Sequence, residues 1–144
     1  MDGKVGAYQQ SSILGKSPLD LVIQVYDGAI GAFEKAGEAL RKEEFNVSRD
    51  QLEKARKFLT HLYTTLDMER GGEIANHLSR LYAFVISQTH IIEATKELRL
   101  IDDNVNILKN LRSGWAGLRQ NRAAGANKGE YAAQAATEQV TVSA

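Results

Sequence analysis

The sequence predicts an all-α protein: an antiparallel up-down four-helix bundle with a mobile N-terminal segment and a disordered C-terminal tail. Three observations carry this. The 144 residues include a single proline, so almost no position forbids a helix. Apolar residues recur at three-four spacing in four separate blocks. The breaks between blocks are only a few residues long, which favours antiparallel neighbours. The expected division is an N-terminal cap segment over 1–16, the bundle over 17–120 and a flexible tail over 121–144.

The first helix, expected over about 18–42, has a strong start signal. Ser17 can accept hydrogen bonds from the free amides of the first turn, Pro18 suits the first helical position, and Asp20 favours the positive end of the dipole. Leu19, Val22, Ile23, Tyr26, Ile30, Phe33 and Leu40 then follow at helical spacing. Gly28, Gly31 and Gly37 are poor helix formers, so packing must support this helix, and their small size would let a neighbouring helix come close. The second helix, about 47–67, carries Leu52, Ala55, Leu59, Leu62 and Leu66, after which Gly71 and Gly72 break the pattern. The third, about 73–98, carries Ile74, Leu78, Leu81, Val85 and Ile92. The fourth, about 103–120, carries Val105, Leu108, Leu111, Trp115 and Leu118. The tail from Asn121 has little bulky apolar content beyond Tyr131 and two valines, and no stripe to bury.

Composition excludes several function classes. Lys+Arg and Asp+Glu are 18 each, a formal net charge of +0, without the basic excess or stripe of a nucleic-acid binder. No cysteine is present, so disulfides, thiolate metal sites and cysteine nucleophiles are ruled out. No apolar run approaches the roughly 20 residues that would cross a bilayer. The start MDGKVGAYQQ lacks the apolar centre of a secretory signal, so a soluble cytoplasmic protein is expected, with no membrane insertion.

The polar residues show no catalytic pattern. Di-metal bundles use Glu-x-x-His motifs, and none of His61, His77 and His90 has a Glu three residues earlier. Gly71-Gly72 is followed by Glu73, which would repel a phosphate. Glu43-Glu44 and Asp102-Asp103 fall at expected helix ends, where acids are solvated or capping. No catalytic residue, metal site or cofactor is expected.

The informative surplus is apolar. With Leu19, Ile23, Tyr26, Ile30 and Phe33 as the core stripe of the first helix, Leu21, Val25, Ala29, Ala32 and Ala36 extend its apolar arc to one side. On the third helix Phe84, Ile91 and Leu98 lie seven apart, away from the centre of the stripe. One reading is that each helix touches two neighbours and needs a broad arc. The other is a groove for a partner's amphipathic helix, covered at rest by Tyr8, Ile13 and Leu14 of the N-terminal segment. The candidate partner-binding residues are thus Tyr8, Ile13, Leu14, Leu21, Val25, Ala29, Ala32, Phe84, Ile91 and Leu98. Two alternatives come from other classes: a histidine phosphotransfer bundle using His77 or His90, and a structural module in which the wide arcs form a homodimer interface.

The stretches AYQQ, SPLDLVIQVYDGAI and RGGEIANHLSRLYAF, in this order, resemble the flagellar secretion chaperone family FliS. The likeness runs from about Tyr8 to Leu118 and includes Trp115 in LRSGW. Its most specific part is a Gly-Gly-Glu followed by an Asn-x-Leu-x-x-Leu-Tyr run, matched by Gly71, Gly72, Glu73, Asn76, Leu78, Leu81 and Tyr82. The segment LRLIDDN departs from the Asn-rich turn of many relatives, and the tail matches nothing in the family pattern. The resemblance implies a helical bundle without enzymatic activity. It implies binding of the C-terminal region of flagellin in the cytoplasm, prevention of premature polymerisation, and delivery to the flagellar type III export apparatus. An export-gate protein and, for some members, an anti-sigma factor are the further partners it implies, with the N-terminal segment around Tyr8 involved in those contacts.

Overall fold

The computed structural model describes residues 17–123, and of Arg122 and Ala123 only the backbone. Four helices follow one another: α1 (Pro18–Arg41), α2 (Phe45–Thr64), α3 (Met68–Thr95) and α4 (Leu98–Ala123). The start of α1 is the one the residues announce. The Ser17 hydroxyl accepts from the Asp20 amide and the Asp20 carboxylate accepts from the Ser17 amide, each at 3.1 Å, a reciprocal capping box with Pro18 at the first position.

The other boundaries move. α2 begins at Phe45 and ends at Thr64, short of Leu66. α3 begins at Met68, where the Asp67 side chain accepts from the Arg70 amide at 3.0 Å. The break expected at the glycine pair falls inside this element: Gly72, at φ 54 and ψ −130, interrupts the helix after one turn. A positive φ is open to glycine at no side-chain cost, so the pair acts as a kink rather than as a loop. α3 closes at Lys96, whose left-handed φ of 58 ends the helix without a glycine. The connection to α4 is therefore only Lys96-Glu97, and LRLIDDN is helical rather than a loop. Asp103 sits in the second turn of α4, paired with Arg99 at i,i+4 across 3.6 Å.

α1 packs most extensively on α2 and next on α4, α2 packs on α3, and α3 meets α4 least. The cyclic order α1-α2-α3-α4 thus leaves one thin seam. The core holds Leu19, Val22, Ile23, Tyr26, Ile30 and Phe33 of α1 against Leu52, Leu59 and Leu62 of α2 and Val85 and Ile92 of α3, with Leu108 of α4. A Cβ on Gly28 would lie 2.6 Å from the Phe58 ring of α2, so the missing side chain lets that ring lie against α1. At the centre the Tyr26 and Tyr82 hydroxyls share a 2.6 Å hydrogen bond, and the Trp115 ring stands 6.3 Å from that of Tyr26. Three helices meet on these aromatics.

Candidate functional site in the seam between α3 and α4

Helix periodicity places two apolar rows on this seam. On α3, Leu81, Phe84, Gln88 and Ile91 fall within about 80° of one another at 100° per residue. On α4, Leu100, Asn104, Ile107, Leu111 and Leu118 fall within about 60°. A hydrogen bond from Asn104 Nδ2 to Gln88 Oε1, 3.2 Å, joins the two rows and fixes which flank of each helix faces the other. The opposite flanks are taken: Arg56 of α2 bonds Thr89 and Glu93 on one side of α3, and α4 turns its basic residues to α1 on the other.

The rows are incompletely covered. Phe84 is 47% exposed and Ile91 43%, large values for aromatic and β-branched side chains in a bundle. Leu100, Ile107, Leu111 and Leu118 are half-buried, packed against the core on one side only. Ile74, near the kinked start of α3, is also exposed, although its spacing predicts a core position. The result is a partly uncovered apolar strip along the α3/α4 seam, here termed the groove.

The α1/α4 seam is built differently. Asp20, Asp27 and Glu34 stand seven residues apart on α1 and meet Arg119, Arg112 and Lys109 of α4. Arg112 donates to both Asp27 oxygens, at 2.5 and 3.3 Å. The hydrogen bond from Arg119, with that from the Ser17 amide, holds the Asp20 carboxyl below its ordinary value of 3.8. These pairs are largely exposed, so they set register more than stability. At the buried tyrosine pair, loss of solvent pushes Tyr26 from 10.0 up to about 12 and Tyr82 well above 10.0. Both hydroxyls stay protonated at neutral pH, and the pair is a structural contact.

The residues singled out in the sequence divide into groups. Phe84 and Ile91 lie together on the α3 wall of the groove. Leu21 is exposed, at 39%, and Val25 is partly buried, both on α1. Ala29 and Ala32, 0% and 3% exposed, are core residues, which corrects their placement on an open arc. Leu98 is corrected too: it opens α4 instead of closing α3, and packs half-buried on the core. Tyr8, Ile13 and Leu14 lie outside the described residues. The α4 wall was missed. Its signal was present in Leu100, Ile107, Leu111 and Leu118, but Leu111 and Leu118 also fit the main stripe of the fourth helix and Leu100 precedes its expected start at 103.

Among the described residues no group of three His, Asp or Glu side chains is placed to hold a metal ion, and His61, His77 and His90 are all exposed. No helix among them is long and apolar enough to cross a membrane.

Comparison with known proteins agrees with the architecture. The family model described as "Flagellar protein FliS" matches residues 1–122. The chain is 29% identical over 119 residues to the flagellar secretion chaperone FliS of Vibrio cholerae, covering 80% of this chain and 88% of that protein. It is 30% identical over 115 residues to the flagellar secretion chaperone FliSB of Pseudomonas aeruginosa, covering 77% and 91%. A crystal structure of a bacterial flagellar chaperone superposes with a TM-score of 0.69 at 25% identity, covering 82% of this chain and 98% of that one.

Proposed function

The chain belongs to the FliS family of flagellar secretion chaperones, which are not enzymes, and from this we propose that it is a flagellar export chaperone for flagellin. It binds the C-terminal helical region of newly made flagellin in the cytoplasm, prevents premature polymerisation and delivers the subunit to the type III export apparatus. Contact with an export-gate protein, and with an anti-sigma factor, belongs to the same proposal.

The observation that carries this reading is the groove. Phe84 and Ile91 on one wall face half-buried Leu100, Ile107, Leu111 and Leu118 on the other. A flagellin terminus that assembles into a helical core exposes apolar helix faces while monomeric, and an apolar groove of this kind accepts one such face. Each Å² covered contributes about 25 cal/mol before ordering costs are subtracted. Chaperoning then needs no chemistry, only a competitor for the surface that flagellin uses in the filament.

Tyr8, Ile13 and Leu14 form the resting cover in this proposal. In an up-down bundle Ser17 stands at the end where α3 starts. Sixteen extended residues reach about 50 Å, more than the roughly 40 Å length of α3. Removing residues 1–16 therefore leaves the bundle folded and alters partner binding or promotes self-association.

The deciding experiment is calorimetry of the full chain with intact flagellin and with flagellin lacking its C-terminal segment. Binding of the intact form alone is expected, and it is lost in Phe84→Asp/Ile91→Asp while circular dichroism is unchanged. Equal binding of both forms, or of neither, overturns the proposal. Sedimentation showing a dimer that the same double variant dissociates identifies the groove as a self-interface instead.

A further inference from the structure

Two buried side-chain oxygens find no hydrogen-bond donor among the described residues, Gln51 Oε1 and Asn104 Oδ1. The second alone sits on the α3/α4 seam. Asn104 is 1% exposed. Both N–H groups of its amide are engaged, with Leu100 O at 2.7 Å and Gln88 Oε1 at 3.2 Å. Flipping the amide would set its oxygen against the Leu100 carbonyl, so the network fixes the orientation and leaves Oδ1 as the unpaired atom. A buried carbonyl without a donor is destabilising, and a leucine, which has the same branched shape, would avoid that cost at this position. The surrounding wall residues are apolar. Gln88, which bonds Asn104 from α3, is partly exposed. The α3/α4 seam is the least extensively packed of the four seams between neighbouring helices.

We propose that Asn104 and Gln88 form a polar register point in the α3/α4 groove, selecting a docked helix that carries a hydrogen-bond donor side chain within its apolar face. The inference rests on the reading of the groove as the flagellin site. A Ser, Thr, Asn or Gln of the bound helix displaces the Gln88 amide, accepts from Asn104 Nδ2 in its place and donates to Asn104 Oδ1, while neighbouring apolar residues cover Phe84, Ile91 and Ile107. A helix shifted by one turn places an apolar group over the amide and leaves the oxygen unpaired. The apolar walls supply adhesion and the amide supplies register, as a single polar residue does in a coiled-coil seam.

The test is a double-mutant cycle by calorimetry. Each Ser, Thr, Asn and Gln in flagellin's C-terminal segment is replaced by Ala and titrated into the wild-type chain and into Asn104→Leu. One replacement is expected to weaken binding to the wild type about tenfold and to change binding to Asn104→Leu less than about twofold. The melting temperature of Asn104→Leu is expected to equal or exceed that of the wild type. If no replacement separates the two proteins, the register point is overturned while the flagellin reading stands. If the wild type fails to bind the unaltered segment, both fall. Should Asn104→Leu not fold, Asn104→Ala, which also removes the acceptor, replaces it in the cycle, with the same expected coupling.

Discussion

Phe33 and Phe84 are the same residue on two helices of one bundle, in opposite situations. Phe33 on α1 has no exposed surface and belongs to the core, whereas Phe84 on α3 is 47% exposed beside a thin seam. The contrast extends to the seams themselves. α1 meets α4 through a core backed by one row of three ion pairs. α3 meets α4 through one amide contact among uncovered apolar side chains. The first seam is finished within the chain. The second leaves part of its apolar surface uncovered.

The largest effect is expected where the bundle is finished. Phe33→Ala should cost about 3–5 kcal/mol, combining lost transfer energy with a cavity, read as a lower denaturant midpoint. Phe84→Ala should stay within about 0.5 kcal/mol of the wild type. Similar costs for both would erase the distinction between the two seams.

The tyrosine pair should give an intermediate effect confined to alkaline solution. A folded-state value raised by burial means stability that is complete below pH 10, where both states are protonated. It is lost as pH rises from about 10 toward and past about 12, because only the unfolded chain ionises easily. Tyr82→Phe removes the 2.6 Å contact at a cost of about 1–2 kcal/mol. Fluorescence of Trp115, 6.3 Å from Tyr26, would report both. An alkaline midpoint unchanged by Tyr82→Phe would remove the pair from this role.

The smallest effect belongs to the ion pairs. The Asp20 value is lowered on folding, so its contribution is present above the ordinary 3.8 and disappears as pH falls below it. Arg119→Gln should therefore change stability by less than about 1 kcal/mol at neutral pH, and by nothing once Asp20 is protonated or salt is high. A large, salt-independent loss would show that the α1/α4 seam depends on charge rather than on its core.

The start of α1, the four-helix count and the core face of α1 were legible in the sequence because they depend on local signals. Ser17-Pro18-Asp20 caps through atoms three residues apart, and a stripe of Leu19, Ile23, Tyr26, Ile30 and Phe33 repeats with the helix period. The family was legible from contiguous motifs. The groove was legible only in part. Phe84 and Ile91 stood out because bulky apolar residues off the main stripe have no local reason to be there. Ala29 and Ala32 misled, since a small apolar residue suits an open face and a tightly packed one equally well.

What the sequence by itself determined was therefore periodic: which stretches are helical and which face of each is greasy. What only the tertiary structure decided was partnership. Gly28 faces Phe58 because α1 and α2 approach closely there. α3 ends at Lys96 in a left-handed conformation that no glycine foretold, and this moves Leu98 onto α4. Asn104 is buried against Gln88, sixteen residues away in sequence, with one oxygen left over. A helix wheel records angles about one axis. Whether an apolar arc is core or groove depends on how far the next axis lies, and that distance is set by side chains of other helices.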